Sequence, residues 1–160
     1  MHVFDASSIL HAWDHYPIEN FPPLWDWIAE RIAAGEFAIP LVALEEVARK
    51  SPECGGWLKG QGIVVLPLTN EALQLAAGIK RRLGIAEDDY HPKGVGENDL
   101  LIIAAAKIAG ATLVSDEARQ FRRPDTMSKC RIPAVCDLPE VSVVCIPFIE
   151  LIRGSGAIFR

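Results

Sequence analysis

ENDLLIIAAAKIAGATLVSDE, residues 97–117, joins a helix pattern, a stop and a strand pattern in one stretch. Asn98 to Ala109 is apolar nearly all round, which predicts a helix buried on every side. Gly110 ends it, and ATLVS (111–115) predicts the next strand. At 100° per residue, Asp99 shares a face with Ile102, Ile103 and Ala106, while Leu100, Leu101, Ala104 and Ala105 fill the opposite side. A carboxylate there loses several kcal/mol of hydration unless it is partnered or protonated. Its first-turn position recovers only ~0.3–1 kcal/mol from the helix dipole. Asp99 therefore calls for a cation or a metal. Asp116 and Glu117 follow the strand directly, at its carboxyl end.

Working outward, the same alternation continues in both directions. His2 to Phe4 predicts a first strand, the polar DASS break a loop, and Ile9–Leu10 the following helix. Pro22–Pro23 open a helix bearing Leu24, Ile28 and Ile32, with Gly35 as its stop. Phe37 to Ile39 predicts a second strand closed by Pro40, and a helical stripe of Leu44, Val47 and Ala48 follows from Leu41. IVVLPL (63–68) is a buried-looking run that Pro67 confines to a strand end or sheet edge. Asn70 is read as the cap of a helix carrying Ala72, Leu75, Ala76, Ile79 and Leu83. VSVVCI (141–146) predicts a last strand, and Phe148 to Ile152 the start of a final helix. Strands alternating with helices predict one α/β domain over residues 1–160, a three-layer α/β/α arrangement around a mostly parallel sheet. In such sheets ligands gather beyond the carboxyl ends of the strands.

The chain has 160 residues, 50% of them hydrophobic and 23% charged, with a net charge of −5. Those values exclude wholesale disorder and a uniformly basic nucleic-acid coat, though not local basic patches. Leu100 to Val114, the longest apolar stretch, contains Lys107 and is shorter than the ~20 residues a membrane span needs. The opening MHVFDASS places Asp5 where a signal peptide needs an apolar run, so a cytoplasmic protein is expected. Cys54, Cys130, Cys136 and Cys145 lack paired C-x-x-C spacing and are read as buried free thiols in a reducing compartment.

Asp5, Asp99 and the Asp116–Glu117 pair lie at carboxyl strand ends or a helix start. Glu45 and Glu46 sit mid-helix, and the helical wheel alone gives neither a special status. Carboxylates brought within a few ångströms raise one another's pKa and destabilise the fold. A divalent ion reverses that penalty, and all-carboxylate ligation selects Mg²⁺ or Mn²⁺ over zinc.

With those segments assembled, the chain resembles the PIN domain, a metal-dependent nuclease fold, over essentially its whole length. VFDASSIL looks like the family's opening strand, whose first acid transfers to Asp5, with Ser7 on the small polar position two residues later. IPLVALEEV looks like the second motif and maps its Glu onto Glu46, with Glu45 as the fallback. ENDLLIIAAA is similar to the third motif and carries over to Asp99. LVSDEARQF departs from the family's fourth motif: Ser115 stands for Thr, Glu117 for the usual Asp, and Asp116 fills the variable slot, so both acids stay candidates. The tail from Arg131, together with PPLWDWI, looks like a bacterial subgroup of PIN-like proteins. The resemblance implies a parallel sheet of about five strands and RNA phosphodiester cleavage. It also implies Mg²⁺ or Mn²⁺ held by Asp5, Glu46, Asp99 and Asp116 or Glu117, with Ser7, Ser115 and Glu45 supporting the ligands. Many small members are toxins held by an antitoxin and act as homodimers.

Positive charge for an RNA strand is expected from Arg119, Arg122 and Arg123, which follow the fourth motif. Lys80–Arg81–Arg82, Lys129 and Arg131 are further cations, and His91 lies in the loop before Asp99. Trp13, Trp25 and Trp27 read as core or a dimer face rather than a base-stacking platform. Two other readings stay open. A haloacid-dehalogenase-type phosphatase needs a second Asp at position 7, which is Ser. A non-catalytic interaction module on the same fold would keep the acids for structure.

Overall fold

The structure, a computed structural model, describes residues 1–160. Five short strands form one sheet, every neighbouring pair parallel: β1 (His2–Phe4), β2 (Phe37–Pro40), β3 (Val64–Leu66), β4 (Thr112–Val114) and β5 (Cys145–Ile146). Their spatial order is β3-β2-β1-β4-β5. The helices are α1 (Ala6–His15), α2 (Pro22–Ala33), α3 (Leu41–Lys50), α4 (Pro52–Gly60), α5 (Asn70–Arg82), α6 (Glu97–Ile108), α7 (Ile132–Cys136) and α8 (Phe148–Ser155). The chain runs outward through β2 and β3 on one side of β1, then returns through β4 and β5 on the other. β1 and β4 therefore flank the switch point, where the crevice of an open parallel sheet lies.

Alternate residues of a strand face opposite sides of the sheet. All four residues of β2 are buried, as are Val3, Phe4, Leu113 and Val114, so both faces of the sheet centre are covered. This is the packing expected of a parallel sheet. α6 packs against β2, β4, α3 and α5, and Leu100 to Ala106 are buried without a break. A helix apolar all round is thus buried all round. The four cysteines are buried and free.

Several boundaries depart from the sequence reading. No loop separates β1 from α1: Asp5 is itself the N-cap, so DASS is a cap and first turn. The cap of α5 is Thr69 rather than Asn70, with Oγ1 accepting from the Ala72 N–H at 3.1 Å. β3 is an edge strand, and Val64 and Val65 are exposed where the run looked buried. β5 holds only two of the six residues in VSVVCI. Val141 and Ser142 turn back to bond Leu138, and Ser142 adopts φ +50°, so the ladder begins late.

α4 has no counterpart in the sequence reading. Its two internal glycines weaken helix propensity, but one of them permits close packing. A Cβ at Gly55 would stand 2.8 Å from Cα of Ala48, so α3 and α4 cross at near backbone contact. Trp57 of that helix joins Trp13 and Trp25 in an edge-to-face cluster with centroids 4.9 Å (Trp25–Trp57) and 5.2 Å (Trp13–Trp25) apart. Trp25 is also tied by its Nε1–H to the Tyr16 carbonyl. These tryptophans hold α1, α2 and α4 together and leave no free face of Trp25 for a base.

Candidate metal and phosphodiester site

β1 and β4 are in register from His2–Thr112 to Phe4–Val114, so the next residues, Asp5 and Ser115, emerge side by side. The Asp5 N–H extends the ladder by one bond to the Val114 carbonyl. Asp5 is 2% exposed, and each carboxylate oxygen is held. Oδ1 accepts from the Ser8 N–H at 2.7 Å, while Oδ2 accepts from Ser7 Oγ at 2.7 Å and Ser115 Oγ at 2.5 Å. The two serines singled out beside the acids thus orient the Asp5 carboxyl. Ser8, fully buried, donates to the Asp5 and Val114 carbonyls and stitches α1 to β4.

Asp99 enters from the first turn of α6, where Oδ2 accepts from the Gly96 N–H at 2.8 Å. Burial pushes its pKa up, and the charges of Asp5 and Glu46 push it further. Glu46 reaches the same region from α3, although it is paired with Lys50 one turn on, Nζ to Oε1 2.5 Å. Lys50 partly offsets the repulsion at Asp99. The i,i+4 spacing of this pair was legible in LVALEEVARK, but Lys50 was not singled out. Glu45, the fallback, lies on the exposed side of α3.

At the fourth position the structure separates two neighbours. Glu117 turns inward: Oε2 accepts from the Ile132 N–H at 2.9 Å. Burial, then the Asp99 and Asp5 charges, push its pKa up to about 7 against an ordinary 4.5. Asp116 turns away. Its Oδ1 accepts from the Phe148 N–H at the start of α8 at 2.8 Å, and Oδ2 lies 3.7 Å from Nδ1 of His11. Of the two acids expected at this position, Asp116 thus caps the start of α8 while Glu117 bonds the start of α7.

Asp5, Asp99 and Glu117, with Glu46 at the edge, thus share one electrostatic pocket at the switch point. In Asp5 too, burial raises the pKa against the lowering by its serine bonds. No three of the protein's His, Cys, Asp and Glu side chains close into a ready-made metal cage. Carboxylate oxygens alone are hard donors, of the type Mg²⁺ or Mn²⁺ takes in preference to zinc.

Unmatched burial of carboxylates has a measurable sign. An acid with a raised pKa in the fold favours the fold when protonated; that contribution is complete below the unfolded pKa and lost as pH rises through the folded one. For Glu117 the window runs from 4.5 to about 7. In chelator, wild type should therefore lose stability relative to Glu117→Gln as pH rises across that window. Thermal melts of both proteins across it check this. The comparison removes His2, whose lowered pKa acts oppositely on both. Parallel melting curves would mean that Glu117 is not buried beside like charge.

Of the expected strand-binding cations, Arg119 is committed to structure, its Nη2 donating to the Cys145 carbonyl at 2.7 Å. Arg122 and Arg123 are exposed and engaged in no ion pair. Lys80 stands over the Tyr90 ring and Arg82 pairs with Glu140, so that cluster braces the surface. His91 accepts from the Lys93 N–H within its own turn.

Residues 2–159 match the family model described as a domain of unknown function, DUF4411. No curated protein matches the chain. Among solved structures, the chain is similar to VapBC2 from Rickettsia felis bound to a DNA fragment from its promoter, at 14% identity and TM-score 0.54, covering 92% of this chain and 98% of that one. It is also similar to FitAcB from Neisseria gonorrhoeae, at 14% identity and TM-score 0.51, covering 91% and 96%. A toxin–antitoxin complex from Klebsiella pneumoniae matches at 14% identity and TM-score 0.50, covering 79% and 94%. At such identities the likeness is one of fold, and the fold is the PIN-like one.

Proposed function

The chain belongs to the DUF4411 family, and from that premise we propose that it is a Mg²⁺- or Mn²⁺-dependent ribonuclease acting as the toxin of a toxin–antitoxin pair. The observation that carries the reading is the nearness of Asp5, Glu46, Asp99 and Glu117, from four distant segments: burial first, then neighbouring carboxylates, raise the pKa of Asp99 (Asp5 and Glu46) and of Glu117 (Asp99 and Asp5). Evolutionarily neutral surface acids have no need of such a costly arrangement, whereas a site for a dication does. The toxin role rests on the fold shared with the VapBC2 and FitAcB structures and with the Klebsiella pneumoniae toxin–antitoxin complex. An antitoxin and a second copy of the chain are the partners this role implies.

In this reading Asp5, Asp99 and Glu117 hold the ion and Glu46 completes the set. When bound, such an ion lowers the pKa of a water and offsets charge on the phosphate. The chain's own part is positional. Ser7 and Ser115 fix the Asp5 carboxyl, the Gly96 N–H fixes Asp99, and the Ile132 N–H fixes Glu117. Outer contacts of this kind are worth about 10–100-fold in metal affinity or activity. Lys50 pairs with Glu46 one turn along α3 and so holds the Glu46 carboxylate at the edge of the set. Arg122 and Arg123 supply exposed charge for the phosphates of the strand.

The absence of a ready-made cage favours one rival, a non-catalytic module that keeps the acids for structure. Purified protein incubated with mixed single-stranded RNA and Mn²⁺, beside the same reaction in chelator, separates the two. Cleavage that chelator abolishes supports the nuclease. No cleavage, together with no heat of Mn²⁺ binding, supports the module.

A further inference from the structure

Between Glu117 and α7 the chain makes a loop whose base is braced and whose outer part is bare. Gln120 closes it: Nε2 donates to the Lys129 carbonyl at 2.9 Å, and Oε1 accepts from the Arg131 N–H at 2.9 Å. On the incoming limb, Arg119 is anchored to β5 and Glu117 to the first residue of α7. Phe121 is the first residue beyond this clamp, and its ring is fully exposed, at 102%. No other large hydrophobic residue between Ile108 and Val144 is exposed, so the ring stands alone rather than in an apolar patch.

The loop that carries it is predominantly basic. Residues 118–131 carry Arg119, Arg122, Arg123, Lys129 and Arg131 against a single acid, Asp125, a net of +4 in a chain of −5. A lone aromatic ring among cations is a poor anchor for a protein helix, which needs apolar contacts at helical spacing. It suits a polyanion whose units each carry a flat π-face. Four residues of chain from Glu117 also keep Phe121 within about 14 Å of the acidic pocket at full extension.

We propose that Phe121 is a base-stacking residue: an unpaired base of a single-stranded polynucleotide lies on its ring, with Arg122 and Arg123 on the adjoining phosphates. The proposal rests on the nuclease reading and deepens it by naming the residue of this chain that receives a base. In a duplex both faces of each base are already stacked, so the ring has nothing to receive.

The test uses the full-length protein and a fluorescein-labelled, mixed-sequence single-stranded RNA, with a duplex of the same sequence as control. Affinity is read by anisotropy in chelator, and KM by cleavage in Mn²⁺. Phe121→Ala and Phe121→Leu should weaken single-strand binding about 5- to 140-fold, from the usual worth of one stacked base. Both should raise KM in step and leave duplex binding and thermal stability unchanged. Phe121→Trp should keep wild-type affinity, because it keeps a π-face where Leu keeps only apolar bulk. Arg122→Gln with Arg123→Gln should weaken both strands and flatten the salt dependence. Wild type that cleaves RNA while Phe121→Ala changes neither affinity nor KM overturns this proposal alone. Equal losses on single strand and duplex, or a change of oligomeric mass in Phe121→Ala, also overturn it, in favour of a structural or protein contact. Wild type that neither binds nor cleaves RNA overturns the nuclease reading and this one with it.

Discussion

Asp99→Asn should reduce metal-dependent RNA cleavage by at least about 100-fold, the upper end of what loss of a merely orienting contact costs. The same change should make the metal-free protein more stable at pH 8. The two effects share one cause. Burial and the charges of Asp5 and Glu46 raise the Asp99 pKa, so its ionised form works against the fold. Asn imitates the protonated acid, and its side-chain oxygen can still accept from the Gly96 N–H. The gain should therefore be present above the folded pKa and vanish in acid, where wild type carries the proton itself. Mg²⁺ or Mn²⁺ should raise the melting temperature of wild type more than that of the variant. Melting in chelator and in metal, with cleavage measured in parallel, checks all three statements. Undiminished cleavage by Asp99→Asn would place the nuclease activity elsewhere or in a contaminant.

Gly94→Ala should destabilise the protein by about 3 kcal/mol, the upper end of ordinary overpacking. For a chain of this size that corresponds to a fall of roughly 6–12 °C in melting temperature. A Cβ at Gly94 would lie 1.9 Å from the Ser128 carbonyl oxygen and 2.9 Å from its carbon. These are backbone atoms and have no rotamer to turn away. The strand of chain bearing Gly94 is tied to that neighbour by the Val95 N–H to the Cys130 carbonyl at 2.9 Å. Val95 itself is fully buried. Forcing the two apart disturbs Gly96, which bonds Asp99, and the approach to Ile132, which bonds Glu117. Activity should fall more steeply than stability alone accounts for at temperatures where the variant is folded. Gly56→Ala is the control: a Cβ there meets nothing within 4 Å, so it should stabilise α4 by about 0.5–1 kcal/mol. A melting temperature for Gly94→Ala equal to that of wild type would contradict the close approach.

Local pattern carried the fold a long way. The apolar helix from Leu100 to Ala106 and the runs at His2–Phe4 and Thr112–Val114 were readable because full burial leaves no polar face to write into the sequence. A parallel α/β sheet follows from such runs alternating with helices. Asp5 and Asp99 stood out for the same reason, as acids at places where water is excluded. α4 did not, because Gly55 lowers helix propensity in order to fit against Ala48, and only the contact explains the residue. VSVVCI promised a long strand, yet Val141 and Ser142 turn back on the Leu138 carbonyl and the Val143 N–H bonds Cys136, which leaves only Cys145–Ile146 as β5.

The site divides along the same line. Residue types and their order along the chain were enough to mark strand-end acids, the serines beside them and the need for a positive counter-charge, since burial of charge is penalised whatever the fold. Choosing between adjacent acids lay beyond any pattern, because a shift of one residue points a side chain at a different neighbour. Glu117 faces the pocket and Asp116 leaves it because one meets the Ile132 N–H and the other the Phe148 N–H, donors that lie 15 and 32 residues further along the chain. Glu46 and Glu45 part company on α3 by the same rotation. Such long-range hydrogen bonds exist only once the chain has closed, and they select the carboxylates that share a field.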